Sequence, residues 1–439
     1  MTTDPLKVTL LGCGVVGTEV ATRLLNRRTA IGSRIGAQLE LSAVVVRDLA
    51  AERPGLPREL LTTDAESAIA GADIVVELMG GMEPAKTLIL KALSAGASVV
   101  TANKALLAAH YAELMAAADD AGVRLEHEAA VAGAIPIIRP VGDSLAGDEI
   151  TKVMGIVNGT TNYILDQMEK EGWDFSHALS TAQELGFAEA DPTADIEGHD
   201  AAAKAAILAS LAFDTPVSID QVPVEGISSI TPDMIATAAA QGFTIKLLAI
   251  CERIVAADGT QGVSARVYPA VIPADHALAQ VGGAFNAVFV EAEAAGQLMF
   301  YGQGAGGAPT ASAVLGDIVS VARRKVLGGR GMYEHGEGRI LPVLDIGEIT
   351  THYQITLDVA DRPGVLSRIT EVFAAHDVSI ELVQQTRLTE PGTPEDLHAA
   401  KLVIATHSAR ESALAATVDA LRGLDAVNGV LSVLRIEGL

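Results

Sequence analysis

The chain has 439 residues, 49% hydrophobic and 20% charged, with a formal net charge of −24; this length exceeds a single core and asks for about three domains of ~100–200 residues. The acidic balance argues against nucleic acid and against anionic membrane surfaces as partners, since both demand clustered Lys and Arg. Residues 1–5 lack the basic and apolar regions of a signal peptide, and no uninterrupted apolar run reaches the ~18–20 residues that span a bilayer, so the expected compartment is the cytoplasm.

The first 130 residues alternate apolar runs (7–11, 39–46, 73–79, 98–101) with helical patterns (15–27, 83–95, 104–121). Continuous β-branched runs between amphipathic helices indicate strands that see no water on either face, hence an α/β, Rossmann-type parallel sheet over residues 1–150. From 151 to 302 the texture changes to an α+β substrate and dimerisation domain. Its elements are a strand at 152–157, a helix from 161, a polar stretch at 189–200, an Ala-rich helix at 201–213, and strands at 244–251, 263–271 and 287–292. A Gly-rich segment at 302–307 leads into a helix at 310–326, long enough to return, so that about 303–326 completes the first domain. Residues 327–349 read as a linker, rich in Gly and holding Pro342. A compact βαββαβ pattern occupies 350–439, with strands at 352–359, 379–388, 401–406 and 429–435, helices at 365–375 and 411–421, and a Pro- and Gly-rich turn between the second and third strands. Cys13 and Cys251 lie in unrelated contexts and read as buried thiols rather than a disulfide or a metal knuckle.

Chemistry begins at Gly12-Cys13-Gly14-Val15-Val16-Gly17, between the first strand and the first helix. There Gly12 allows the tight turn, Gly14 lets backbone approach a pyrophosphate, and Gly17 lets helix and strand pack closely, the anion resting on the helix N-terminus. Arg47, just past the second strand, suits the 2′-phosphate of NADP, while Asp48 beside it suits the free ribose diol of NAD; Arg47 tips the expectation toward NADP and leaves NAD open. Thr101-Ala102-Asn103-Lys104 sets a strand end and a lysine on the edge where such sheets bind ligands, and a cation at a helix N-terminus asks for an anion nearby.

The most informative stretch runs from Glu189 to Lys204, where Glu189, Asp191, Asp195, Glu197 and Asp200 precede a helix body whose one ionisable side chain is Lys204. Asp200 and Lys204 are a helical turn apart, so the carboxylate can orient the amine. An amine on an apolar face has a destabilised charged form, which suits a proton donor in carbonyl reduction; an ordinary snorkelling ion pair is the plainer alternative. Carboxylates for an ammonium and a lysine for a carbonyl together suggest an amino acid with an oxidisable side chain. Glu128 to Pro136 reads as a strand end passing into an irregular turn of small residues.

Taken in order, these segments closely resemble the homoserine dehydrogenases of bacterial type with a C-terminal ACT domain. The resemblance spans essentially the whole chain. It rests on the glycine loop, Thr101-Ala102-Asn103-Lys104, Glu128-Ala129-Ala130-Val131-Ala132-Gly133, Asn158-Gly159-Thr160-Thr161-Asn162, residues 186–204, Gly304-Ala305-Gly306, and Asp361-Arg362-Pro363-Gly364-Val365-Leu366. It implies reversible reduction of L-aspartate 4-semialdehyde to L-homoserine with NAD(P)H, on the route to threonine, methionine and isoleucine. It further implies Lys204 as proton donor and acceptor, Lys104 touching cofactor and substrate, and Glu189, Asp195 and Asp200 holding homoserine or orienting the lysine. By the same resemblance Glu128, Val131, Gly133 and Ile135 bind a sodium-like ion mostly through carbonyls, and Gly306 contacts the cofactor. The ACT-like tail implies amino-acid binding at paired modules, with threonine the first effector to test, in a homodimer or homotetramer. Another amino-acid dehydrogenase and a non-catalytic ligand sensor are the competing readings.

Overall fold

The computed structural model describes residues 4–328, 340–388 and 399–439. Residues 1–3, most of the expected linker and the Pro- and Gly-rich turn after Leu388 lie outside the described residues. Two compact units emerge: Met1–Gly159, His199–Val222 and Ala284–Ile340 form the first, and Thr160–Gly198, Pro223–Gly283 and Leu341–Leu439 the second.

The first unit contains a six-stranded parallel sheet of β1 (Leu6–Leu11), β2 (Leu39–Val45), β3 (Leu61–Thr62), β4 (Ile74–Glu77), β5 (Ser98–Thr101) and β6 (Leu125–Glu126), in the order β3-β2-β1-β4-β5-β6. This is the expected Rossmann-type arrangement, and all residues of β4 and β5 are buried, as strands covered on both faces require. The strand order reverses between β1 and β4, where such sheets open a ligand crevice beyond their carboxyl ends.

Helix Gly307–Leu327 shares one core with helix Val15–Asn26: Ala311, Val314, Ile318 and Val321 pack with Val20, Ala21 and Leu24. Each fully buried aliphatic side chain contributes ~1.5–3 kcal/mol, so this helix is integral to the cofactor half of the unit. The same unit holds antiparallel strands Ile150–Ile156, Phe285–Ala292 and Gly296–Gln303. The last of these occupies part of what reads in sequence as a Gly-rich lead-in; Gly-Gln-Leu-Met-Phe-Tyr-Gly-Gln has no β-branched residue and only Phe300 and Tyr301 favour a strand, so pairing with Phe285–Ala292 completes what propensity leaves weak. Helix His199–Ala212 is buried almost all round from Asp200 to Ser210, which its alanines permit by allowing close approach.

In the second unit the hairpin Phe243–Val255 and Gln261–Pro273 is antiparallel, and strand Val427–Ile436 joins it in parallel through Arg435 opposite Ala270 and Ile436 opposite Val271. From there the sheet continues through Thr350–Ala360, Ala399–Thr406 and Ile380–Arg387. Helices Val365–Ala375 and Glu411–Arg422 cover it, sharing a core of Ile355, Leu357, Ile369, Phe373, Leu402 and Leu414. This is the βαββαβ module expected from sequence. Cys251 is buried, but Cys13 is only half-buried, because it stands in the open loop before a helix. Among the described residues no helix is long and apolar enough to cross a membrane.

Candidate active site

At the end of β1 the backbone turns through Gly12 with φ +99°, and a Cβ there would lie 2.7 Å from the Leu78 carbonyl oxygen. A Cβ on Gly17 would meet the Gly12 carbonyl at 2.4 Å, whereas one on Gly14 would meet nothing within 4 Å. Two glycines thus serve close packing and the third borders open space. Gly14 caps helix Val15–Asn26 without a side-chain hydrogen bond, and no acid stands in the first turn, so the helix offers bare N–H groups and positive dipole to an anion. Val15 is exposed, and Val16 packs against the core. Gly306, with φ +118°, caps helix Gly307–Leu327, and a Cβ on Gly307 would collide with Val15; the returning segment therefore lies against the dinucleotide loop. Arg47 is exposed beyond β2, and Asp48 accepts a bond from the Ala50 N–H at 2.7 Å, which ties the acid into a local turn. These features fit a dinucleotide phosphate.

Glu77, which sequence reasoning missed, ends β4 with no exposed surface. One oxygen accepts from the N–H groups of Met79 and Gly80 at 2.7 and 3.0 Å, and the other from the Thr101 hydroxyl at 2.6 Å. The Thr101 hydroxyl in turn accepts from the Asn103 N–H at 3.0 Å, and Asn103 caps the helix that begins at Lys104. One buried carboxylate thus shapes both strand-end loops beside Gly12. The signal in the sequence is an acid closing an otherwise apolar run. The Thr101 side chain is buried and used in this way.

Lys204 and Asp200 sit on the buried helix His199–Ala212. The Lys204 ammonium donates to the Val157 carbonyl at 2.6 Å and to Asp200 Oδ2 at 2.7 Å. Asn158 donates to the same Asp200 oxygen at 2.9 Å, and Lys104 approaches Oδ1 at 2.5 Å. The anion that Lys104 calls for at its helix N-terminus is therefore Asp200. Burial alone would raise the Asp200 carboxyl, but the attraction of Lys204 and then Lys104 overrides it and holds the group well below the usual carboxylate range. Side-chain exposure separates the two lysines: Lys104 is 48% exposed and Lys204 only 9%. An ammonium has three donors, and two of Lys204's are committed among the described residues, leaving one for a substrate oxygen. In sequence Asn158 stands out only as part of the Asn158–Asn162 motif; its position just past the carboxyl end of strand Ile150–Ile156 is the clue to its role.

Glu189 and Asp195 belong to the second unit. Glu189 is exposed, while Asp195 is half-buried on the short helix Thr193–Ile196, its carboxylate 3.3 Å from the Thr160 hydroxyl, which donates more closely to the Phe187 carbonyl at 2.5 Å.

In the turn after β6, Glu128 opens a 3₁₀ helix rather than ending a strand. Its buried carboxylate accepts from the N–H groups of Ile137, Ile138 and Arg139 and pairs with the Arg139 guanidinium, which also pairs with buried Asp317. Only the Glu128 carbonyl is then suited to an ion. Ala132 and Gly133 are both left-handed, with φ of 54° and 57°, and the carbonyls of Val131, Gly133 and Ile135 accept no hydrogen bond among the described residues. These residues are buried, so the turn gathers unpaired carbonyl oxygens, the donor type that hard cations take, and no group of three or more His, Cys, Asp or Glu that could hold a metal occurs among the described residues.

Three family profiles match the chain: homoserine dehydrogenase over residues 136–319, the homoserine dehydrogenase NAD-binding domain over 12–128, and the ACT domain over 353–426. The homoserine dehydrogenase of Mycobacterium leprae is 57% identical over 98% of this chain and 98% of that protein. That of Corynebacterium glutamicum is 52% identical over 98% and 95%. Among solved structures, a homoserine dehydrogenase from Thiobacillus denitrificans aligns with a TM-score of 0.90 and 38% identity over 99% and 98% of the two chains. A hyperthermophilic archaeal homoserine dehydrogenase mutant in complex with NADPH aligns with a TM-score of 0.62 and 25% identity over 75% of this chain and 100% of that one.

Proposed function

Since the chain belongs to the homoserine dehydrogenase family, we propose that it reversibly reduces L-aspartate 4-semialdehyde to L-homoserine with NAD(P)H, in threonine, methionine and isoleucine biosynthesis. The observation that carries the reading is the buried Lys204 ammonium, pinned by the Val157 carbonyl and Asp200 with one donor to spare. The bound cofactor supplies hydride to the aldehyde carbon. Lys204 gives its proton to the carbonyl oxygen, and in the reverse direction neutral Lys204 takes the proton of the homoserine hydroxyl. Asp200 stays ionised, orients Lys204 and balances its charge. Lys104, more exposed and on the other Asp200 oxygen, faces cofactor and substrate, while Glu189 and Asp195 receive the substrate's ammonium.

For the cofactor we favour NADP(H), with NAD(H) also accepted: Arg47 is exposed, Asp48 is occupied locally, and a family member has been solved with NADPH. Gly12, Gly14, Val15, Val16, Gly17, Thr101 and Gly306 would hold the dinucleotide through backbone. A monovalent cation such as Na+ on the carbonyls of Glu128, Val131, Gly133 and Ile135 would fix the turn. We assign residues 1–150 and 303–326 to the cofactor, 151–302 to substrate, 327–349 to connection and 350–439 to regulation by an amino acid, threonine first, in a cytoplasmic homodimer or homotetramer. The test is oxidation of NADPH and NADH with L-aspartate 4-semialdehyde, and reduction of both oxidised cofactors with L-homoserine and with L-aspartate. Turnover of L-aspartate but not L-homoserine would replace this reading with that of an aspartate dehydrogenase.

A further inference from the structure

Asn286 stands where three segments of the first unit converge. It lies on strand Phe285–Ala292 opposite Gly302 of strand Gly296–Gln303, and its neighbour Ala287 pairs with Ile156, two residues before Asn158. Its side chain is buried, and its Oδ1 has no hydrogen-bond partner among the described residues. Roughly nine in ten buried polar groups are paired, because an unpaired one gives up its hydration for nothing in return. The surroundings of this oxygen should therefore show which donor it lacks.

Two glycines enclose the amide. A Cβ on Gly304 would overlap the Asn286 amide, and one on Gly159, which opens helix Gly159–Glu171, would lie 3.5 Å from Oδ1. From its other side Gly304 is pressed by the turn after β6: a Cβ on Gly133 would overlap the Gly304 carbonyl, and the Ala134 N–H donates to the Gln303 carbonyl at 3.1 Å. Gly304 is thus seated on Asn286, and from it Ala305 and Gly306 run outward, exposed, to the start of helix Gly307–Leu327 beside the dinucleotide loop. The N–H groups of Gly304, Ala305 and Gly306 donate no hydrogen bond among the described residues. Unused donors therefore lie over an unused acceptor, on a segment whose glycines leave the backbone free to turn, Gly306 standing at φ +118°.

We propose that Asn286 is a positioning residue for the dinucleotide: its Oδ1 takes an N–H of the Gly304–Gly306 segment when that segment settles on bound cofactor. Asn286 makes no bond to the cofactor itself, since its Oδ1 is buried; it acts through the segment. Once settled, the segment is tied to Asn286 at one end and packed on Val15 at the other, where a Cβ on Gly307 would meet the Val15 side chain at 2.7 Å. The returning helix and the glycine loop are then held at one spacing. A hydrogen bond made only with dinucleotide in place adds to the bound state alone and so tightens binding. The proposal rests on the dinucleotide-binding reading of the first unit and is independent of which alcohol is oxidised.

The experiment is hydrogen–deuterium exchange of the full chain, read on the peptide that contains Gly304–Gly306, with and without saturating NADP+ or NAD+. Cofactor affinity by fluorescence titration and homoserine oxidation are measured alongside. The variants are Asn286→Leu, similar in shape but without the acceptor, and Asn286→Asp, which keeps an oxygen in its place. Cofactor is expected to slow exchange of these amides in the wild type and in Asn286→Asp but not in Asn286→Leu. The Kd should rise about tenfold in Asn286→Leu, equivalent to ~1.4 kcal/mol, and clearly less in Asn286→Asp. A residue that only fills space would show neither the cofactor-dependent protection nor its rescue by Asp. Exchange that neither cofactor slows in the wild type overturns the proposal, whatever the variants do, and so does protection that persists in Asn286→Leu. The expected exchange pattern without homoserine oxidation supports the role of Asn286 and removes the substrate reading. Homoserine oxidation by the wild type with protection persisting in Asn286→Leu removes that role and leaves the substrate reading standing.

Discussion

Replacing Lys204 by Met removes the ammonium while keeping an unbranched stem among the alanines of its helix. Proton transfer by a positioned side chain contributes ~10²–10⁴ in rate, or about 3–5 kcal/mol of barrier, so kcat should fall by that factor. Asp200 then loses one of two lysines but keeps Lys104 and Asn158. The loss of stability should therefore fall below the ~3–5 kcal/mol of a buried pair broken outright, nearer the ~1–3 kcal/mol of one lost charged partner. Nothing at the glycine loop changes, so cofactor affinity measured by fluorescence titration should stay within about twofold, a pattern that marks an interaction made in the transition state. Steady-state homoserine oxidation, cofactor titration and urea unfolding separate the three quantities. A folded variant whose kcat stays within about tenfold of wild type would refute the assignment.

Glu77→Gln removes a charged acceptor of two backbone N–H groups, worth ~1.5–3 kcal/mol for a charge-assisted bond. The KM for the nicotinamide cofactor should rise about tenfold or more while kcat falls less; an unchanged cofactor KM would show that the loops need no such clamp. Arg47→Ala should lower the NADPH-to-NADH ratio of kcat/KM about tenfold, one charge-assisted bond to phosphate, and an unmoved ratio would exclude Arg47 from cofactor choice. His127, fully buried and edge-on to Tyr111, is pushed down to about 4 from 6.5 by burial and then by Arg124. A depressed folded value means that stability is fully present above ~6.5 and is lost as pH falls toward ~4, about 3 kcal/mol in all. Urea unfolding across that window should show the slope in wild type and a shallower one in His127→Gln; equal slopes would mean that other groups carry it.

Much of the architecture was legible because the relevant signals are local. Strand runs fully buried on both faces carry no alternation, so β4 and β5 read directly as parallel core strands, and Val365–Ala375 was bounded to the residue by the turn before it. Strand Gly296–Gln303 was missed because it has no β-branched residue and carries Gly at both ends of its apolar run, so that Phe300 and Tyr301 alone favour a strand and pairing with Phe285–Ala292 completes it. Division into compact units also escapes a linear reading: the segment 151–302 is shared between both units, since compactness depends on which distant segments meet.

The site followed the same rule. Asp200 and Lys204 could be paired from sequence because one helical turn dictates their proximity, and Gly12 and Gly17 because strand, turn and helix leave no room for a Cβ. That Lys104 and Asn158 complete the grip on Asp200, that Glu77 ties two loops together, and that the Glu128 carboxylate is occupied by backbone N–H groups were decided only by the tertiary structure. A helix or strand period constrains neighbours within a few residues, whereas contacts between side chains far apart along the chain depend on how whole elements pack, and no local pattern encodes that.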